Sequence, residues 1–141
     1  MTGAAAPLEF FPQEGTRQPM GALSHAVRFG ELIMLSATTP FTPERDIMLD
    51  DFPAQMRQCM HNLGAVLNNA GSDFAHVLKL EVHLVRSTDF NDMNRIFAEY
   101  FAPGAYPARA TIVVKALVVP EFLLQIHGMA VMARRPGAAS R

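Results

Sequence analysis

The sequence predicts an α+β fold in which two amphipathic helices sit among strands in the order β, β, α, β, α, β, β. Apolar residues recur at helical spacing in only two segments, residues 52–70 and 90–101. A strict two-residue alternation runs from Val77 to Arg86. The remaining apolar runs are short and bounded by Gly or Pro, as strands are. Two helices cover one face of a four- to six-stranded sheet and leave the other bare.

The elements follow in order. Ser24 to Phe29 and Glu31 to Thr38 are two short runs punctuated by Gly30, which reads as a hairpin. Leu32-Ile33-Met34-Leu35 is apolar on both faces and belongs inside the sheet. Pro40, Pro43 and the charged Glu44, Arg45 and Asp46 make a surface loop. Asp50 or Asp51 caps the first helix, with Pro53 in its first turn. Its buried stripe is Phe52, Met56, Cys59, Leu63, Val66 and Ala70, and Gly71 stands at the left-handed terminating position. Cys59 lies on the stripe as a small core residue, while His61 lies off it in solvent.

In the next strand Leu78, Leu80, Val82 and Leu84 point to the core, and Lys79, Glu81 and His83 point away. Glu81 and His83 would suit a metal, but no third ligand is in view, so no metal is expected. Thr88 or Asp89 caps a second helix with the stripe Phe90, Met93, Phe97 and Tyr100 or Phe101, closed by Pro103-Gly104, and Asn94 falls beside the stripe. Strands over Ala110 to Leu117 and Phe122 to Met132 complete the fold. In the last, Phe122, Leu124, Ile126 and Ala130 share one face, and Leu123, Gln125, His127 and Met129 the other.

At 141 residues, half of them hydrophobic, the chain is expected to form one domain, with an ordered core over about 22–132 and termini that fray. Twelve basic against thirteen acidic residues leave a net charge of −1, which supplies no electrostatic footprint for nucleic acid or an anionic membrane. The N-terminus lacks the pattern of a signal peptide, and no apolar run approaches the ~20 residues of a membrane span. A single cysteine excludes an intrachain disulfide and suits a reducing compartment, so a soluble cytoplasmic protein is expected.

One residue breaks the strand chemistry. Arg109 opens the β-branched run Ala110-Thr111-Ile112-Val113-Val114, where a permanent charge gains nothing unless an anion meets it. An arginine that merely solvates a strand edge is the commoner case, but its company argues for an anchor. The sheet face away from the helices carries Leu123, Met129, Val113 and Leu117, too apolar to stay wet, which predicts burial against further copies of the chain.

Pro107-Ala108-Arg109, the preceding Asn94-x-x-Phe97-x-x-Tyr100-Phe101, Gln55-x-x-Gln58-x-x-x-Asn62-Leu63 with Ala70-Gly71, and Leu35-Ser36 together resemble the RidA/YjgF family, from about Leu23 to Ala130. The resemblance implies a chorismate-mutase-like α+β protomer with a mixed sheet and two helices on one face. It also implies a homotrimer around a barrel, with ligand sites between subunits. Members of that family with the arginine hydrolyse enamines and imines such as 2-iminopropanoate to 2-oxo acid and ammonia, without metal or organic cofactor. By the same resemblance Arg109 grips a substrate carboxylate, which a guanidinium matches with two parallel hydrogen bonds. Ser36 and Asn94 fall on the family's strand serine and helix asparagine.

Three positions depart from that pattern. Gln125 stands where catalytic members carry a glutamate, Leu23 where they carry a tyrosine, and Thr111 where a cysteine is common. A glutamine orients water but accepts no proton, so a general-base contribution of ~10²- to 10⁴-fold is at stake. His127, on the face of Gln125, is a candidate substitute, although a sheet-face histidine without a catalytic role is the commoner case. An imine deaminase and a trimeric module that binds a small carboxylate without turnover are therefore the two functions in view. A ribonuclease is a distant third, because the chain shows no basic stripe.

Overall fold

A computed structural model describes residues 7–12 and 18–133. Six strands form one mixed sheet in the order β1-β2-β3-β6-β4-β5. They are β1 (Glu9–Phe11), β2 (Ala26–Phe29), β3 (Leu32–Thr38), β4 (Val77–Leu84), β5 (Ala108–Val113) and β6 (Leu124–Val131), with α1 (Phe52–Asn69) and α2 (Phe90–Ala98) between them. Neighbours run antiparallel except β4 and β5, which are parallel with α2 in the crossover. The β2–β3 hairpin turns at Gly30 and Glu31, and Gly30 has a φ of 60°, open to glycine without a Cβ penalty.

The Asp51 carboxylate accepts from the Ala54 N–H at 3.1 Å, so the cap of α1 is Asp51 rather than Asp50. Gly71 leaves the helix at a φ of 87°. The buried face holds Phe52, Met56, Cys59 and Leu63 as the spacing predicts, and adds Gln55, Met60 and Leu67. Opposite lie Leu80, Val82, Leu84, Leu124 and Ile126, all fully buried. Cys59 donates to the Thr38 carbonyl, and burial pushes its thiol far above the usual range, so it is an inert core residue.

Several expectations are corrected. Glu9–Phe11 pairs with β2, so a strand forms ahead of the ordered core placed at about residue 22, and its Phe11 is buried. The C-terminal residues from Arg134 to Arg141, expected to fray, lie outside the described residues. Leu78 is exposed, because the register between β4 and β6 shifts between Val77 and Lys79 and turns it outward. The α2 stripe is Met93, Ile96, Phe97 and Phe101, with Phe90 exposed. Of the two proposed caps Asp89 stands at the N-cap position of α2, but its side chain makes no cap bond: a single tight turn, Ser87–Asp89, precedes the helix, and the Asp89 carboxylate is taken by Arg86 at 2.8 Å. The last two strands are shorter than their apolar runs, and Leu123, ahead of β6, is buried with its N–H on Gln55 at 2.8 Å.

The bare sheet face is apolar, but its membership differs. Val113 pairs with Leu84 and so shares the helix side. The outward face instead carries Phe10, Phe29, Leu32, Met34 and Ile112, all exposed, next to Met129.

At Gly128 the backbone of β4 occupies the space a side chain would need. A Cβ there would lie 1.9 Å from the Lys79 carbonyl oxygen and 2.9 Å from the Leu80 Cα, both backbone atoms that cannot yield without moving the strand. Gly128→Ala is expected to destabilise the chain by about 3 kcal/mol or more, the upper range for overpacking, read as a lower urea midpoint. A midpoint within error of the parent would mean the strands separate there at no cost.

Candidate active site

The residues proposed for ligand binding fall into two groups on opposite sides of the sheet. Arg109 and Thr111 lie two apart on β5, opposite Leu80 and Val82, and therefore share the helix side. The Arg109 guanidinium carbon sits 4.8 Å from the centre of the Phe97 ring on α2. Burial lowers its pKa, though a guanidinium stays charged at any physiological pH. Among the described residues it meets no carboxylate or carbonyl. The Thr111 hydroxyl oxygen is buried and also lacks a partner among them. Asn94 is exposed on α2, one helical turn before Phe97.

Gln125 and His127 project from the other side. Gln125 Nε2 donates to His83 Nδ1 at 3.1 Å, His83 Nε2 meets Glu81 Oε2 at 2.7 Å, and His127 Nε2 meets the same Glu81 oxygen at 2.9 Å. Since the amide N–H donates to Nδ1, the neutral His83 ring carries its proton on Nε2 and gives it to the carboxylate. These bonds, that of His83 first, hold the Glu81 carboxyl below its ordinary range. His127 is therefore already engaged with Glu81 rather than free beside Gln125.

Gln125 also lines a cavity of about 320 Å³ with Leu23, His25, Thr39, Phe41 and Phe122. A neighbouring cavity of about 260 Å³ holds Ser36, His25 and Asn62. The Ser36 hydroxyl donates to the Ser24 carbonyl at 2.5 Å. Leu23, Ser36 and Gln125 thus gather around adjoining cavities, whereas Arg109, Thr111 and Asn94 do not reach them. In sheet order β4 stands between β6 and β5, which puts the strand of Arg109 about 10 Å from that of Gln125 before the opposite side-chain directions are counted.

His25 lines both cavities and was missed by sequence reading, which saw only one residue of a short strand. The spacing Gln55, Gln58, Asn62 acquires a clear purpose. Fully buried Gln55 donates to the carbonyls of Met48 and Glu121 and accepts from Leu123 N–H, which sets the entry of β6 just before Gln125. Asn62 donates to the Thr39 and Phe41 carbonyls and accepts from Gln58, holding the cavity wall. Phe41 and Phe122 close that wall edge to face, 4.9 Å apart.

A six-stranded mixed sheet with two helices on one face, an arginine without an anion on that face and two adjoining cavities by β3, one of them walled by α1, defines the class of protomer as α+β. The family model described as Endoribonuclease L-PSP matches residues 15–132. The chain is 30% identical over 125 residues to the 3-aminoacrylate deaminase RutC of Acinetobacter baylyi, covering 88% of this chain and 98% of that one. It is 32% identical over 118 residues to a RutC family protein of Pyrococcus horikoshii, covering 83% and 92%. The crystal structure of RidA from an Antarctic Psychrobacter superposes with a TM-score of 0.80 at 27% identity, over 88% of this chain and 99% of that one. The chain belongs to the RidA/YjgF family.

Proposed function

We propose that the protein hydrolyses enamine or imine intermediates of the 2-iminopropanoate type to a 2-oxo acid and ammonia, holding the substrate carboxylate at Arg109. The observation that carries this reading is the half-buried Arg109 guanidinium on Phe97, without an anion among the described residues and beside the unpartnered Thr111 hydroxyl. A bidentate carboxylate satisfies that fork, and Thr111 supplies one more donor. Water then adds to the imine carbon while its proton passes to nitrogen, and the carbinolamine expels ammonia to leave the ketone oxygen. Gln125 orients the water through its amide. Names among the relatives, a 3-aminoacrylate deaminase and the Reactive Intermediate Deaminase A of Arabidopsis thaliana, favour the same chemistry. No metal or organic cofactor enters these steps. Nothing in a net charge of −1 favours a nucleic-acid substrate.

Arg109 and Gln125 face opposite ways in one chain, so a single site that uses both takes the arginine from one copy and the glutamine from its neighbour. The exposed apolar face, Phe10, Phe29, Leu32, Met34 and Ile112, gives copies a reason to associate. A homotrimer around a barrel formed by these faces is the expected state, and light scattering at micromolar concentration reports it; a monomer would overturn it. Among the described residues no helix is long and apolar enough to cross a membrane. The lone thiol suits a reducing compartment such as the cytoplasm.

Release of 2-oxo acid and ammonia from an imine generated in place by an amino-acid oxidase tests the reading directly. The alternative, a module that binds a small carboxylate without turnover, is favoured by one observation: Gln125 offers an amide already engaged with His83. Calorimetric binding of pyruvate without any acceleration of imine decay would select it.

A further inference from the structure

Outside the proposed substrate contacts, Glu81, His83 and His127 gather three metal-ligating side chains on the bare sheet face. Glu81 and His127 are direct cross-strand partners on β4 and β6, and His83 stands two residues along β4 on the same face. One donor atom from each lies within 4.8 Å of the other two. Both imidazoles aim Nε2 at one carboxylate oxygen, at 2.7 and 2.9 Å, and the rings pack edge to face with centres 5.2 Å apart. Two neutral imidazoles and a carboxylate, converging with one side open, form a donor set for a borderline divalent ion. Hard cations such as Ca²⁺ and Mg²⁺ prefer all-oxygen sites.

We propose that Glu81, His83 and His127 form a binding site for a zinc-type divalent ion that bridges β4 and β6. Binding substitutes the ion for the two Nε2–H protons now shared with Glu81. Each imidazole remains neutral by moving its proton to Nδ1, so no net charge has to be lost. Gln125 is placed to support that exchange. Its amide now donates to His83 Nδ1, and after a half-turn its carbonyl oxygen accepts from Nδ1–H, which orients the ligating ring as a partner behind a metal-bound histidine does. Within one chain the donors are only partly buried, with side-chain exposures of 30% for Glu81, 16% for His83 and 38% for His127, which leaves room for water as a fourth ligand.

The test is calorimetric titration of chelator-treated, fully assembled protein with zinc chloride, alongside His127→Ala and Glu81→Gln. The first removes a ligand, and the second keeps the side chain's size while removing its charge. Expected is one ion per chain and, in each variant, a loss of at least the ~100-fold that marks the upper range for changes behind a ligand. The melting temperature of the parent, but not of the variants, rises with zinc. Cobalt(II) in place of zinc shows visible bands of a low-coordinate site in the parent alone. His61→Ala with His76→Ala, on α1 and in the turn ahead of β4 where His76 pairs with Asp73, keeps the parent's affinity. Binding weaker than about 0.1 mM, or an affinity unchanged in His127→Ala and Glu81→Gln, would overturn the site.

Discussion

Arg109→Ala is expected to lower kcat/KM for imine hydrolysis about 100-fold, and Arg109→Lys to recover only a small part of it. A charge-assisted hydrogen bond contributes about 1.5–3 kcal/mol, and each step of 1.4 kcal/mol is tenfold. Lysine keeps the charge but offers a point donor in place of a planar fork, and it cannot lie flat on Phe97, 4.8 Å away in the parent. The effect should fall on binding, because the carboxylate is held alike in substrate and transition state; KM and the pyruvate dissociation constant rise together. Equal affinity of parent and Arg109→Lys for pyruvate by calorimetry would remove Arg109 from the site. The Arg109 side chain makes no hydrogen bond to a described residue and loses only its stacking on Phe97, so a melting curve measured beside the kinetics separates a folding effect from a ligand effect.

Gln125→Glu is expected to raise deamination of 2-iminopropanoate by up to the ~10²- to 10⁴-fold of a positioned acid or base. The exchange keeps the size of the side chain and its place on the wall of the 320 Å³ cavity. It reverses one hydrogen bond, since the amide now donates to His83 Nδ1 and a carboxylate can only accept. Donating Nδ1–H to the new carboxylate while keeping Nε2–H on Glu81 makes His83 a doubly protonated ring between two carboxylates. Initial rates of 2-oxo acid release across pH settle the matter. A parent rate already equal to that of active relatives, with no gain in the variant, would show that water is handled elsewhere. His127 would then be the residue to substitute, followed by His25.

What sequence alone determined is local. The period of α1, a cap at Asp50 or Asp51 and the Gly71 stop are legible because capping and helical spacing act within a few residues. The hairpin at Gly30 and the alternation Leu80, Val82, Leu84 against Glu81 and His83 are legible for the same reason. Arg109 stood out by charge in a β-branched run, and the family motifs marked Ser36, Asn94 and Gln125.

Tertiary structure decided what depends on pairing. The register shift that exposes Leu78 and the close crossing at Gly128 arise between β4 and β6, some 50 residues apart, and no local period encodes them. Ile96 replaces Phe90 in the core because the way α2 packs selects which side of an apolar helix is buried. Two donors on β4, Glu81 and His83, read as an incomplete metal site, and only the antiparallel pairing of β6 delivers His127 as the third. Pairing likewise sets Arg109 and Gln125 on opposite sides of one sheet: side-chain direction along a strand is local, but whether two strands present a residue to the same side is fixed by how their backbones hydrogen-bond.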